Sequence, residues 1–262
     1  HPADHDLSAG CFYNGTNYIC LIEPVKVAYV DSAEKKRMSN PEYIKNTSHL
    51  QGLMTEFSDV PPYNSLFSEN TYILYNDELD AIVIDPGCSN ASERGALSNF
   101  VKDFGLTPKR LLLTHAHIDH ILGLAYIYNE FGLLAEFHAG ELAVLESAEQ
   151  IGKMYGIPYQ KTAYSNLHLV DNQIIKFGNA DIECILAPGH SPASLCFYNK
   201  KENFVIAGDV LFEGSIGRTD LPGGNYDTLI SSIKTRLYPL GNQVMVYPGK
   251  GYEKSIEKLR SW

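Results

Sequence analysis

The stretch Arg110-Leu111-Leu112-Leu113-Thr114-His115-Ala116-His117-Ile118-Asp119-His120 decides how this chain is read. An apolar run of strand type empties into three imidazoles and a carboxylate within six residues, and the apolar-periodic run Ile121-Leu122-Gly123-Leu124-Ala125-Tyr126-Ile127 follows at once. That order predicts strand, loop, helix. Neutral imidazole is the commonest protein ligand for zinc, and a carboxylate among histidines adds an oxygen ligand or a proton acceptor. The competing reading is a polar loop that happens to be rich in histidine. It is the weaker one, because scattered histidines seldom fall into an HxHxDH pattern at a strand end.

Working outward toward the N-terminus, 71–75 and 81–85 read as strands joined by a hairpin loop at 76–80, and Pro86-Gly87 closes the second. Ser89 is expected to cap a helix running to about Phe104, with Gly105 ending it. Further out, 18–22 and 25–30 suggest two short strands turning at Glu23-Pro24, and 31–37 is charged and helix-tolerant. Residues 1–53 therefore form an N-terminal extension without an assigned role, and 54–262 the main domain.

Toward the C-terminus a helix is expected over 119–131, a strand over 134–137 and a helix over 141–149. Strands follow at 174–177, 182–186, 194–198 and 204–207. A helix over 226–238, a strand at 244–247 and a terminal helix from Glu253 complete the chain. Paired strands with interspersed helices suggest an α/β architecture of two mixed sheets packed face to face with helices outside. Two more residues then matter. His190 lies in Ala187-Pro188-Gly189-His190-Ser191 and Asp209 in Ile206-Ala207-Gly208-Asp209-Val210, each after an apolar strand and beside a glycine that permits close backbone approach. Alone, either would be an ordinary turn residue; with HxHxDH upstream, both join a candidate metal site.

Lys plus Arg number 21 and Asp plus Glu 31, giving a formal charge of −10. An acidic surface argues against non-specific nucleic-acid binding. The five cysteines include no CxxC pair, and Cys184 and Cys196 sit in apolar runs, which favours reduced thiols and a cytoplasmic setting. No apolar run approaches the ~20 residues needed to span a bilayer, so no membrane partner is expected.

HxHxDH, then Pro188-Gly189-His190-Ser191, then Gly208-Asp209-Val210-Leu211-Phe212, then Gly214-Ser215-Ile216-Gly217-Arg218-Thr219-Asp220, in this order, resemble the metallo-β-lactamase-fold hydrolases, specifically their short glyoxalase II-like branch. The resemblance covers roughly residues 57–250. It implies an αββα sandwich with metals at one edge of the sheets. Position by position, it implies that His115, His117 and His190 bind a first metal, that Asp209 bridges, and that Asp119 and His120 hold a second. Asp85, in the Asp85-Pro86-Gly87 turn, would buttress the metal loop. The metal expected is zinc, one ion or two, with iron or manganese as alternatives. A zinc-bound water has its pKa lowered toward ~7, which supplies hydroxide to attack an acyl carbon, with Asp119 orienting the water or taking its proton.

The implied substrate is a small-molecule acyl thioester, and Arg218 is a candidate to bind a substrate carboxylate, against the alternative that it braces its loop through Asp220. The residues after the last strand suffice for one helix, so the helical glutathione-binding domain of longer glyoxalase II enzymes is not expected. One departure stands out: the family places a histidine in its last loop, which here reads Tyr247-Pro248-Gly249-Lys250-Gly251. Either a few residues of that loop are absent between Gly249 and Lys250, or lysine replaces the histidine. An ammonium has no lone pair, so the second site is expected to be weakened or empty. That weakness keeps two alternatives open, a mononuclear iron persulfide dioxygenase of the same fold and a non-catalytic binding relative.

Overall fold

The computed structural model describes residues 11–13, 18–22, 25–29, 51–56, 69–251 and 253–260. The helix-tolerant stretch 31–37 and the turn at Glu23-Pro24 lie outside the described residues. One sheet contains β1 (Cys11–Tyr13), β2 (Tyr18–Ile22), β3 (Val25–Tyr29), β4 (Gln51–Glu56), β5 (Asn70–Tyr75), β6 (Asp80–Ile84), β7 (Thr107–Leu112) and β8 (Ala135–Glu136), ordered as in the chain. The other is ordered β16 (Lys254–Ser255), β15 (Met245–Pro248), β12 (Phe204–Gly208), β11 (Leu195–Asn199), β10 (Ala180–Leu186) and β9 (Ile174–Phe177). Both are mixed. β6, β7 and β8 run parallel, as do β12 and β15, whereas the β5–β6 and β9–β10–β11–β12 pairs are antiparallel. A two-stranded ribbon, β13 (Leu211–Phe212) with β14 (Ser215–Ile216), was not anticipated.

Strand periodicity sorts the core into layers, because successive side chains point to opposite faces. Tyr72, Leu74, Ile82, Ile84 and Leu112 from the first sheet meet Leu195, Phe197, Phe204, Ile206 and Tyr247 from the second. The alternate residues Ile73, Val83 and Leu111 pack outward beneath α1 (Ala91–Asp103), α3 (Leu124–Phe131) and α4 (Leu142–Tyr155). On the far side Val205, Ala207 and Val246 pack against α5 (Tyr226–Ser232) and α6 (Ile256–Leu259). These four layers are the expected αββα sandwich. Fully burying each such apolar side chain contributes about 1.5–3 kcal/mol. Strands β2 and β3 were expected in the N-terminal extension; they and β4 continue the first sheet.

The helix expected over 141–149 runs on to Tyr155, the terminal helix expected from Glu253 is α6 after the β16 pair, and three further boundaries differ for a local reason. Asn90 rather than Ser89 caps α1: its side chain accepts from Glu93 N, while Ser89 donates to the Glu93 carboxylate. The helix expected over 119–131 is two pieces, α2 (Ile118–Ile121) and α3, because the Gly123 N–H bonds Pro86 O instead of continuing the helix. The helix expected over 226–238 is α5 followed by a π turn (Ile233–Leu237) and a 3-10 turn holding Pro239. Proline lacks the N–H that an α-helix would need there. No helix among the described residues is long and apolar enough to cross a membrane.

Candidate metal centre

Five strand ends converge on one edge of the sandwich. β6 delivers Asp85, β7 delivers 114–120, β10 delivers His190, β12 delivers Asp209 and β15 delivers Lys250. His190 Nε2 lies 3.2 Å from His115 Nε2 and 2.9 Å from His117 Nδ1. Three nitrogens bound tetrahedrally at about 2.0–2.1 Å from zinc stand roughly 3.3 Å apart, so this spacing suits one ion.

In His115 and His190 the outer ring atoms fix which nitrogen carries the proton. Thr114 Oγ1 donates to Asp85 Oδ2 (2.5 Å), so at 3.0 Å it accepts from His115 Nδ1, and His115 Nε2 is left with its lone pair. His190 Nδ1 donates to Arg218 O (2.8 Å), leaving its Nε2 bare as well. Burial holds His115 well below the ordinary histidine range and pushes His117 down to about 3, each helped by neighbouring imidazoles. Burial also lowers His190, partly offset by Asp209. Three neutral imidazoles aimed at one point form a ligand set. Beside them Asp209 Oδ1 is buried 3.4 Å from His120 Nε2 and makes no hydrogen bond of good geometry among the described residues, so a cation would satisfy it.

Asp119, His120 and Asp209 bring a second group of ligand atoms together. Lys250 Nζ stands among them, 2.6 Å from Asp209 Oδ2, 2.8 Å from Asp119 Oδ2 and 3.3 Å from His120 Nε2. Burial alone would lower the lysine, but the two carboxylates outweigh it and hold it above its ordinary range. Burial would raise Asp119 and Asp209, yet Lys250 and His120 pull both below the usual carboxylate range. Lys250 is thus part of the cluster and not a solvated loop residue. Gly249 makes this possible, since a Cβ there would collide with Asp209 Oδ1 and with His120 Cε1.

Asp85 holds the loop from behind, accepting from Thr114 N (2.7 Å) and from His120 Nδ1 (3.1 Å). Its φ of 50° is left-handed, a conformation that costs a non-glycine residue on the order of 1 kcal/mol or more and persists only where contacts enforce it. Glu141, unremarked in the sequence, is fully buried and ties two loops together. It accepts from Ala116 N (3.0 Å), Ser191 Oγ (2.6 Å) and Ala193 N (2.7 Å). Glu69, equally unremarked, is buried 3.7 Å from His120 Nδ1. The Arg218 guanidinium is engaged bidentately by Asp220 (2.7 Å each), and what Arg218 gives the cluster is its main-chain carbonyl. His138 caps a 3-10 turn and His168 packs on Phe137, both away from the centre.

Residues 65–249 match the profile of the Metallo-beta-lactamase superfamily. The chain belongs to the metallo-beta-lactamase superfamily. Within the superfamily it is 37% identical over 188 residues to the probable metallo-hydrolase YqgX of Bacillus subtilis, covering 71% of this chain and 87% of that one. It is 33% identical over 195 residues to the hydroxyacylglutathione hydrolase GloC of Haemophilus influenzae, covering 72% and 89%. Among solved structures, TTHA1623 in a di-iron-bound form superimposes with a TM-score of 0.66 at 31% identity, covering 77% of this chain and 95% of that one. A superfamily fold with a histidine-rich cluster at its strand ends is the plan of a metallo-hydrolase, and the two groups of ligand atoms are of the kind a two-metal centre uses.

Proposed function

We propose that the protein hydrolyses acyl thioesters at a metal held by His115, His117 and His190. The observation that carries this reading is the convergence of His115 Nε2 and His117 Nδ1 on His190 Nε2, at 3.2 and 2.9 Å, beside the buried Asp209 Oδ1. A divalent metal bound there supplies Lewis acidity for an acyl carbonyl and lowers the pKa of a water toward ~7. Asp119 stays ionised beside Lys250, so its carboxylate can accept a hydrogen bond from the attacking water and orient it. Thr114, Asp85 and the Arg218 carbonyl hold the imidazoles in the tautomers that binding needs. A thiolate departs without protonation, so a thioester asks less of the site than an amide would. The likeness to GloC supports the same class.

The test is to strip metal with a chelator, restore zinc, manganese or iron singly, and follow thiol release from a panel of hydroxyacyl and acetyl thioesters. Turnover restored by metal and lost in His115→Ala supports the reading. Iron at one per chain with oxygen uptake on a persulfide, and no thioester turnover, would replace it with the dioxygenase reading.

A further inference from the structure

We infer that Lys250 is a built-in second cation, and that the centre consequently takes one metal, on His115, His117 and His190, instead of two. This rests on the histidine metal centre proposed above and concerns its neighbour, the Asp119, His120 and Asp209 group.

The ammonium is held there between two buried carboxylates. Two carboxylate oxygens accept from it, Asp209 Oδ2 at 2.6 Å and Asp119 Oδ2 at 2.8 Å, and His120 Nε2 lies 3.3 Å away on its third side. These are the side chains that would hold a second metal. A zinc ion at about 2.0–2.2 Å from the same atoms would stand where Nζ stands, so ion and ammonium exclude each other.

The lysine is also anchored at its backbone. Gly249 N donates to Gly208 O (2.7 Å), Asn70 N to Gly249 O (2.7 Å), and Asn70 Nδ2 to Gly251 O (2.8 Å). Tyr72 Oη donates to Pro248 O (2.5 Å), and β16 pairs back on β15 at Met245 with Ser255 and Val246 with Lys254. The loop is therefore a short, bonded connection that presents Lys250 to the cluster. Withdrawing the ammonium would leave two buried carboxylates without their nearest cation, a large penalty in a desolvated site. A tethered charge also needs no ion from solution. A metal has to displace it before it can bind.

The experiment is a zinc count. Metal-free full-length protein is titrated with zinc alone, and ions per folded chain are read by native mass spectrometry and elemental analysis, with circular dichroism as the check on folding. The wild type should take one zinc and Lys250→His two. In the wild-type background His120→Ala should keep one zinc and His117→Ala should lose it, a pair that decides the matter even if Lys250→His does not fold. Two zincs in the wild type would overturn the inference and leave the metal centre standing. One zinc in folded Lys250→His would overturn it too, and no zinc in the folded wild type would overturn the inference and the metal centre together.

Discussion

Replacing Glu141 with alanine should loosen both histidine loops at once. Its carboxylate accepts from Ala116 N and Ser191 Oγ on one oxygen and from Ala193 N on the other, and no part of the residue reaches solvent. Each buried donor left without a partner costs about 1–3 kcal/mol. Three such donors, with some relief from water entering the space, give a loss of about 3–6 kcal/mol. In a chain of this size 1 kcal/mol moves the melting temperature by about 2–4 °C, so the transition should fall by on the order of 10 °C. Ala116 lies between His115 and His117, and Ser191 follows His190, so the loss should also reach the metal. Outer partners of metal ligands are worth about 10–100-fold in affinity, and zinc binding should weaken by a factor in that range. Thermal denaturation of the metal-free protein separates the first effect from the second, which a competition titration with a chromogenic chelator reads. Glu141→Gln keeps one acceptor but turns an amide donor toward an existing donor, and should fall between wild type and alanine on both measures. A Glu141→Ala protein with wild-type melting and wild-type zinc affinity would refute the argument that this carboxylate clamps the loops.

Chelation followed by dialysis should abolish thioester hydrolysis, and adding zinc back should restore it, measured as thiol release; activity that survives removal would count against a metal mechanism. Phe197→Ala, in the centre of the inter-sheet core, should cost about 3–5 kcal/mol in urea denaturation. Asp171 offers a pH test. Burial alone would raise its pKa, but Leu186 N–H and the Arg236 guanidinium outweigh that and lower it. A depressed folded pKa means stabilisation present above the unfolded value near pH ~4 and lost as pH falls through the folded value. Asp171→Asn should therefore be less stable than wild type at pH 7, and the gap should close on acidification; a gap constant across that range would sink the assignment.

The layers and the ligand cluster were legible because their signals are local. Strand alternation in Tyr72-Ile73-Leu74 or Phe204-Val205-Ile206 states which face each residue takes, and HxHxDH places its ligand types in one loop. What could not be read depends on contacts between distant segments. Glu141 looks like the start of an exposed helix until the 114–117 and 190–193 loops close over it. Arg218 was a candidate through its side chain, but it acts on His190 through a carbonyl, and a backbone acceptor leaves no trace in residue identity. The break at Gly123 was available as a glycine inside a helical pattern, whereas its partner Pro86 O was not. Lys250 was visible as a departure from the family pattern. Its entry into the cluster depends on Asn70, which is 180 residues away in the chain.

The centre sits where the two sheets are bonded to each other, and this explains how its spacing is kept. Thr114 O, at the end of β7, accepts from Leu195 N at the start of β11 (2.8 Å). On the other side Asn70 N, in β5, donates to Gly249 O beyond β15. Deeper between the sheets Leu74, Ile82, Phe197 and Phe204 meet in apolar packing, which tolerates sliding far better than a hydrogen bond does. His115 belongs to one sheet's loops and His190 to the other's, so their 3.2 Å separation measures the registration of the sheets. A shift of a few tenths of an ångström is enough to spoil a zinc site whose bonds are defined to about ±0.2 Å. Cavities in the inter-sheet core should therefore act at a distance. Phe197→Ala, though it touches no ligand, should weaken zinc binding along with stability, because the packing it removes is what keeps the two halves of the ligand set in register.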